Sequence, residues 1–290
     1  MDNMPLFTVE EKMVSKIIFD LVLLLIAAIP VPIFYVDILT PFRRGYFCDD
    51  ETIKYPYKDS TVSDCALYVG GLSAGLISII LCILLKKIRD GSNNEGESEI
   101  YVLKWKISSI FFRFYSDLVV FLFGACITEI ATNFIKYFLG RLRPNFLDVC
   151  QSSFNCSSVQ GLYTYVENYT CTNPDIASVN DSRLSFPSGH SSIAMYAMMF
   201  SVVYLYKYFS LPCAKLLKPI LQFIPILFAL YTAISRIEDN KHHWSDVMGG
   251  SAIGIVVALS VSLLLGKEKN TSQILPKGNG VFITKNLEIG

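Results

Sequence analysis

The sequence has no excess of charge of either sign and few charged residues of any kind. Its 25 Lys and Arg balance its 25 Asp and Glu, and charged residues make up only 17% of the 290. A net charge of zero gives no electrostatic indication of nucleic-acid binding. The eight Cys include no C-x-x-C pair, so no zinc module of that kind is present. The chain also lacks an internal repeat and a recognisable second domain.

Apolar residues dominate the chain. They make up 52% of it, and the mean hydropathy of +0.43 is too high for an ordinary soluble domain. Six apolar runs reach the roughly 20 residues that a helix needs to cross a bilayer. The runs are Ile17–Val36, Ala66–Leu85, Leu118–Tyr137, Ser192–Tyr208, Leu216–Ile234 and Val247–Gly266. The sequence therefore predicts an all-α polytopic membrane protein with a bundle of six transmembrane helices.

We interpret the chain as a single integral membrane domain of residues 1–290. Its six-span core covers about residues 17–266, and residues 267–290 form a polar tail. The first run lacks a small-x-small cleavage site, which favours a retained helix over a signal peptide. Six crossings place both termini on one side, and most Lys and Arg fall in segments on that side. The positive-inside rule therefore predicts cytosolic termini and a cytosolic tail.

Two basic residues stand at the outer end of the third span, where this topology disfavours them. Lys136 and Arg143 are seven residues apart and share one face if the helix continues, and Pro144 follows to stop it. Basic residues that snorkel at the end of a span are common and need no function. Their position on the non-cytosolic side favours a ligand-binding role instead.

A second polar element, Pro187-Ser188-Gly189-His190, precedes the fourth span. Pro and Gly favour a turn, and Ser191 or Ser192 could cap the helix that follows. A turn that leads into a helix N-terminus presents backbone N–H groups and a partial positive charge, which suits an anion. An ordinary capped helix start is the simpler explanation for this element taken alone.

A third polar element runs from Ser235 to Asp246 between the last two spans. His242 and Asp246 are four residues apart, so on a helix they would lie on one face within hydrogen-bonding reach. A carboxylate on one ring nitrogen would leave the other free as a nucleophile or base, and Arg236 suits a phosphate. The alternative is a solvated loop without function. All three elements fall on the same predicted non-cytosolic face, which favours one shared site.

These elements resemble the three signature motifs of the type 2 phosphatidic acid phosphatase superfamily. The first motif is Lys136-x6-Arg143-Pro144 and the second is Pro187-Ser188-Gly189-His190. The third motif is Ser235-Arg236-x5-His242-x3-Asp246. The residues around them are similar to the animal lipid phosphate phosphatases, also called phospholipid phosphatases. One departure is Asn145, where related animal enzymes often have His.

The resemblance implies a role for each motif residue. His242 would attack phosphorus and form a phosphohistidine, oriented by Asp246, and His190 would act as general acid and then as general base. The phosphoryl group would be held by Lys136, Arg143, Ser188, Gly189 and Arg236. His243 would point elsewhere on a helix, so we interpret it as structural.

The resemblance also implies the reaction, a phosphoric monoester hydrolysis. The basic residues Lys136, Arg143 and Arg236 predict that it needs no metal ion. A metal site built on His242, His243 and Asp246 is the competing chemistry, but no further ligands complete a zinc set. The implied substrates are phosphatidate, lysophosphatidate, sphingosine 1-phosphate and ceramide 1-phosphate. Phosphatases for polyisoprenyl diphosphates or glucose 6-phosphate are the enzymatic alternatives. A membrane protein that only binds lipid phosphates or partner proteins is the non-enzymatic alternative, and a homo-oligomer stays open.

Glycosylation sequons indicate the compartment of the outer face. Asn155, Asn168 and Asn180 all lie in the loop between the third and fourth spans, and Asn270 lies in the tail. They favour an extracellular site at the plasma membrane, with a lumenal site in the ER or Golgi as the alternative. Disulfides are expected among the outer cysteines, but their pairing does not follow from the sequence. These cysteines are Cys48, Cys65, Cys150, Cys156 and Cys171.

Overall fold

The computed structural model describes residues 9–35, 39–91, 99–102, 105–154, 156 and 163–267. Its helices are α1 (Val9–Ala28), α2 (Pro30–Ile33), α3 (Asp64–Gly91), α4 (Ser109–Leu139), α5 (Phe146–Cys150), α6 (Ile176–Asp181), α7 (Gly189–Tyr208), α8 (Leu217–Glu238) and α9 (Trp244–Lys267), with a 3-10 turn at Glu51–Ile53. Two antiparallel ribbons pair β1 (Tyr46–Phe47) with β4 (Tyr165–Val166) and β2 (Glu99–Val102) with β3 (Trp105–Ser108). The fold is therefore a helical bundle, as the sequence predicts.

Within these residues, five helices are long and apolar enough to cross a membrane. They are Val14–Ile33, Asp64–Ile88, Ile110–Leu139, Leu217–Glu238 and Trp244–Leu265. Large apolar side chains such as Phe19 on α1 and Phe228 on α8 are about 60% exposed (62% and 60%). So many exposed large apolar side chains on long helices are unusual in a soluble monomer and fit contact with lipid. The prediction of a polytopic helical membrane protein is confirmed.

The helix predicted as the fourth span, α7, differs from these five because it is enclosed by other helices. It packs against α9, α8, α3 and α4, and its tyrosines bond to protein groups. Tyr196 donates to the carbonyl of Phe121 (2.6 Å), and Tyr204 donates to the carboxylate of Asp117 (2.6 Å). A helix whose neighbours are protein can carry more polar groups than one facing lipid. A sixth crossing by α7 stays a prediction.

Several predicted helix ends differ from the structure; α4, for example, begins at Ser109 and not at Leu118. The first span was predicted to continue to Val36, which lies outside the described residues, but α1 ends at Ala28 and only the short α2 follows. Pro30 and Pro32 lack the N–H group that would continue the α1 ladder. The last two spans extend further towards each other than predicted, because α8 continues to Glu238 and α9 begins at Trp244.

Two glycines let α9 approach the start of α7 closely. A Cβ atom at position 250 would lie 2.3 Å from the carbonyl oxygen of Ser188, and one at position 254 would lie 2.3 Å from that of Ser192. Both distances are far below van der Waals contact, so only glycine permits this packing. The contact holds the beginning of α9, with Asp246 in its first turn, against the second motif.

A small disulfide-bonded cap covers the end of the bundle that carries the motifs. Cys48 is bonded to Cys156, and Cys150 to Cys171, while Cys65 is free. These bonds resolve the pairing that the sequence left open. The cap has its own apolar core, formed by Tyr46, Cys48, Ile53, Leu142, Phe146, Cys150 and Val166. It fixes the connection from α4 to α5, which contains Arg143.

Candidate active site

The three motifs meet at one end of the bundle, as the sequence predicts. Backbone hydrogen bonds join the segments that carry them. These bonds run from Ser185 N to Arg141 O (2.9 Å), from Arg143 N to Ser182 O (2.9 Å) and from Ser188 N to Asp246 O (3.0 Å). The Lys136 ammonium also lies at the second motif, 3.5 Å from where a Cβ of Gly189 would stand. The Lys136 cation of the first motif therefore lies beside the turn of the second.

His242 lies in the loop before α9 and not on a helix, so the predicted common helix face with Asp246 is wrong. The ring is buried, with 3% exposure, and Nδ1 lies 2.7 Å from the carbonyl oxygen of Ser185. A carbonyl oxygen only accepts, so Nδ1 carries the proton. The opposite nitrogen, Nε2, then has an unshared electron pair, as a nucleophile requires.

Burial keeps the ring of His242 neutral. Desolvation lowers the pKa of His242 to about 3, and the positive charges of Arg143 and Lys136 act in the same direction, while nearby Asp246 opposes them. The ordinary pKa of His is about 6.5. The ring is therefore neutral, with its single proton on Nδ1, throughout the physiological pH range.

The predicted hydrogen bond between His242 and the Asp246 carboxylate is absent, because His242 Nδ1 and Asp246 Oδ2 are 3.8 Å apart. The fully buried carboxylate instead accepts hydrogen bonds from Arg141 Nη1 (2.5 Å), Ser185 Oγ (2.6 Å), His243 N (2.9 Å) and His243 Nδ1 (3.1 Å). The bond from the backbone N–H of His243 matches one of the two bonds of a capping box, in which a side chain in the first turn of the helix accepts from the N–H of the N-cap residue. Ser185 therefore links the two residues, since its hydroxyl donates to Asp246 and its carbonyl accepts from His242.

Arg143 has a buried donor without an acceptor in the part of the chain that the structure describes. The predicted continuous helix face with Lys136 is not formed, because α4 ends at Leu139 and Gly140 takes a left-handed conformation with φ +52°. Arg143 Nη2 is paired with Asp181 at 2.6 Å. Its Nε is buried and has no hydrogen-bond partner among the described residues. An unpaired buried donor costs about 1–3 kcal/mol, and an anion bound here would offset that cost.

Arg236 is the most deeply buried cation of the site. It occupies the last turn of α8 and is 1% exposed. Its Nη2 pairs with Asp239 at 2.5 Å. The same carboxylate accepts hydrogen bonds from the backbone and hydroxyl of Thr61, at 2.8 Å and 2.6 Å. The segment before α3 therefore helps to hold Arg236 in place.

The second motif differs from the prediction in its cap. Ser188 itself is the N-cap of α7, with its hydroxyl accepting from the N–H of Ser191 at 3.4 Å, where Ser191 or Ser192 was predicted. His190 follows in the first turn. Its Nε2 lies 3.0 Å from the carbonyl of Val62 and 3.6 Å from Asp64. The carbonyl fixes the proton on Nε2, so Nδ1 of the neutral ring has the free electron pair.

Sequence reasoning missed several residues of this site. Arg141 and Ser185 hold Asp246, while Asp181 and Asp239 pair with the arginines. Arg141, Ser185 and Asp239 lie within or next to the motifs, so their position in the sequence could have indicated that they belong to the site. Asp181 is 38 residues from its partner, and no local pattern indicates such a contact.

The described residues offer no evident metal centre. Across the described ranges, no three His, Cys, Asp or Glu side chains are grouped to hold an ion. Asp246 is saturated by its own donors, so the alternative metal site of His242, His243 and Asp246 is not formed in this geometry. Cationic side chains are the groups available to neutralise an anion here.

Comparison with known proteins identifies the family. The PAP2 superfamily matches residues 117–269, which contain all three motifs. Phospholipid phosphatase 1 of Rattus norvegicus is 39% identical over 253 residues, covering 85% of this chain and 83% of the relative. The chain belongs to the PAP2 superfamily. The resemblance seen in the three motifs is thereby confirmed.

Two further relatives complete the comparison. Phospholipid phosphatase 2 of Homo sapiens is 38% identical over 250 residues, covering 83% of this chain and 80% of its own. Among solved structures, a transmembrane PAP2 type phosphatidylglycerolphosphate phosphatase from Bacillus subtilis is 18% identical. The match covers 88% of this chain and 96% of that one, with a TM-score of 0.35.

Proposed function

We propose that the protein is a lipid phosphate phosphatase that hydrolyses phosphomonoesters through a phosphohistidine intermediate. The observation that carries this proposal is the state of His242. Its Nδ1–H is held by a carbonyl, so Nε2 can attack, and the positive charges of Arg143 and Lys136 act on the same ring. Membership of the PAP2 superfamily and the names of the relatives, both phospholipid phosphatases, support the same conclusion.

The first half of the proposed reaction transfers the phosphoryl group to the enzyme. His242 Nε2 forms a bond to phosphorus as the bond to the lipid oxygen breaks. When the phosphate anion is bound, its negative charge favours a second proton on His190 at Nδ1, and His190 gives that proton to the departing alkoxide. Lys136, Arg143 and Arg236 stabilise the charge on the phosphoryl oxygens, together with Ser188 and the Gly189 amide at the start of α7. Asp246 helps to orient His242 indirectly, because Ser185 is hydrogen-bonded to both residues.

The second half releases phosphate. His190 is now neutral and takes a proton from a water molecule, while the oxygen of that water attacks phosphorus. The bond between phosphorus and His242 Nε2 breaks, and inorganic phosphate leaves. The chain's own cations stabilise the negative charge of the phosphoryl oxygens in both steps. We therefore propose that no metal cofactor takes part.

We propose that residues 1–290 form one membrane domain with six crossings, counting α7, and with cytosolic termini. The tail, residues 268–290, lies outside the described residues. The motifs would then open at the outer membrane interface, where a phosphate head can enter while its hydrocarbon chain stays in the leaflet. This position favours phosphatidate, lysophosphatidate, sphingosine 1-phosphate and ceramide 1-phosphate over soluble glucose 6-phosphate. We propose that the site lies on the extracellular face of the plasma membrane, with the lumen of the ER or Golgi as the alternative.

The direct test is phosphate release by the purified full-length protein in detergent micelles that contain phosphatidate. We expect hydrolysis in excess EDTA at the rate seen without it. Polyisoprenyl diphosphate and glucose 6-phosphate, assayed alongside, should be poorer substrates. Activity that disappears in EDTA and returns with Mg²⁺ or Zn²⁺ would contradict the metal-free mechanism. Binding of lipid phosphates without turnover would favour the non-enzymatic alternative.

Orientation can be tested through the sequons. Asn168 is exposed next to β4, Asn180 is half-buried in α6, and Asn155 lies outside the described residues. We expect Asn168→Gln to remove more glycosidase-sensitive mass than Asn180→Gln, because the transferase needs an accessible acceptor. Asn270→Gln should change nothing, since the tail is predicted to be cytosolic. Glycan on Asn270 alone would reverse the orientation.

A further inference from the structure

A cavity lies where the cap meets the start of α9. It is lined by residues of the cap core, such as Tyr46, and by His243, which directly precedes α9. Its volume is about 430 Å³, and small-ligand sites typically have volumes of about 300–1,000 Å³. None of the residues that define the three motifs lines it. The cavity is therefore a separate place from the candidate active site.

The cavity is nevertheless in contact with the groups that hold Asp246. Two of its lining residues, Arg141 and His243, donate hydrogen bonds to the Asp246 carboxylate, at 2.5 Å and 3.1 Å. Ser185 joins that carboxylate to His242. A ligand in the cavity would therefore touch side chains that are one step away from the catalytic segment.

Two guanidinium groups offer donors to this cavity that the protein leaves unused. Arg141 bonds to Ser245 and Asp246 through Nη1 alone, so within the described residues its Nε and Nη2 have no acceptor. The Arg44 guanidinium has no hydrogen-bond or ion-pair partner in the part of the chain that the structure describes. The planar fork of N–H groups on arginine suits the oxygens of a phosphate.

The cavity also has groups that suit an ammonium. Asp50 lines it, and Oδ1 of this residue accepts from the N–H and the hydroxyl of Thr52, at 2.9 Å and 2.6 Å. Its Oδ2 accepts no hydrogen bond from the described residues. The rings of Phe47 and Tyr165, on the β1–β4 ribbon, also line the cavity, with centroids 4.9 Å apart and about half of each residue exposed. Aromatic faces attract quaternary ammonium groups.

The charges around the cavity are balanced. Arg44 and Arg141 supply two positive charges, while Asp50 and the Asp246 carboxylate behind Arg141 supply two negative charges, so these four side chains have a net charge of zero. His243 donates its Nδ1–H to the same carboxylate and in its neutral form adds no charge. A simple anion would meet Asp50 as well as the arginines. A zwitterion, with its phosphate at the arginines and its ammonium at Asp50, matches both signs.

The cavity lies at the level where two membrane-capable helices end. Phe42 lines it, and its N–H donates to the carbonyl of Tyr137 in the last turn of α4, at 3.0 Å. His243 on the other wall is followed by Trp244, the first residue of α9. Phe42 and Trp244 are both exposed, and aromatic residues at the ends of spans are typical of the headgroup region. The bilayer surface is therefore the nearest source of a ligand.

We propose that this cavity is a non-catalytic site for the headgroup of a zwitterionic phospholipid of the phosphocholine type. The phosphodiester accepts hydrogen bonds from Arg44 and Arg141, and the quaternary ammonium lies between Asp50 and the two rings of the ribbon. The inference goes beyond the proposed function, because the lipid is bound and not cleaved. A bound lipid reinforces Arg141, which holds Asp246, and so links the surrounding lipid to the catalytic segment.

The test measures binding of dihexanoyl phosphatidylcholine to the detergent-solubilised full-length protein, through the thermal unfolding temperature at increasing lipid concentration. Dihexanoyl phosphatidylglycerol, which has the same chains and phosphodiester but no ammonium, is measured alongside. The wild type should bind phosphatidylcholine saturably and more tightly than phosphatidylglycerol. Arg44→Met should weaken phosphatidylcholine binding about 10–100-fold, the size expected for loss of a hydrogen bond to a charged group. Asp50→Asn should remove the preference, while asparagine still caps the turn at 51–53.

The chain offers matched controls one residue away. Arg43→Met and Asp49→Asn make the same changes in exposed residues that do not line the cavity, so both variants should bind as the wild type does. If Arg44→Met does not fold, Phe47→Leu compared with Phe47→Tyr carries the test, because only the leucine removes the aromatic face.

Several results would overturn the inference. One is a wild type that phosphatidylcholine does not stabilise, and another is equal binding in Arg44→Met and Arg43→Met. Equal affinity of the wild type for the two lipids would show that the cavity does not recognise the ammonium. Inorganic phosphate that stabilises the wild type as strongly as phosphatidylcholine would show a site for a free anion instead. None of these measurements requires turnover, so failure of the proposed function would appear separately, as absence of phosphate release.

Discussion

The His242→Asn variant should hydrolyse no lipid phosphate and form no phosphoenzyme from any substrate. His242 Nε2 is the only atom in the proposed mechanism that accepts the phosphoryl group. Loss of a nucleophile typically lowers kcat by on the order of 10⁴-fold or more. Asparagine is chosen because its side-chain N–H can still donate to the carbonyl of Ser185, which accepts from His242 Nδ1 at 2.7 Å. The fold around the site should therefore be retained.

The measurement is labelled phosphate on protein that is quenched in alkali, where phosphohistidine survives. His243→Asn is the matched control, because it makes the same change one residue away. It removes the ring contact to Asp246 at 3.1 Å but leaves Nε2 of His242 in place. We expect it to retain phosphoenzyme formation. Label on the His242→Asn protein would show that another residue is the nucleophile.

The family and the gathering of the motifs could be predicted because each depends on short patterns and long apolar runs. The second motif precedes α7, and the third joins α8 to α9, so a helical bundle brings them to one end. The membrane class followed from the apolar composition and the length of the apolar runs. None of these predictions required knowledge of how individual side chains are paired.

The pairing inside the site was predicted less well, for two physical reasons. A spacing of four residues implies a shared face only on a helix, and α9 begins at Trp244, after His242. The partner of His242 is the carbonyl of Ser185, 57 residues away, and no side-chain pattern marks a backbone acceptor. Gly140 did indicate locally where α4 ends. Pro144 was instead predicted to be the residue that stops the helix.

The His190→Ala variant should separate the two halves of the reaction. General acid catalysis typically contributes about 10²–10⁴-fold, and a lipid alkoxide needs most of that help. We therefore expect lipid phosphate hydrolysis to fall by about that factor. An activated aryl phosphate leaves as a stabilised anion, so it should still phosphorylate His242. The phosphoenzyme should then accumulate, because the second step has lost the base that activates water.

The structure gives a reason to expect this split. His190 Nε2–H is fixed by the carbonyl of Val62 at 3.0 Å, which leaves Nδ1 as the nitrogen that gains and loses the catalytic proton. His242 makes no hydrogen bond to His190 in the described structure, so its nucleophilic nitrogen should be unaffected by the change. The measurement is a time course of labelled phosphoenzyme with an aryl phosphate, compared between wild type and variant. A variant that forms no phosphoenzyme, or wild-type label found on His190, would show that the two histidines have the opposite roles.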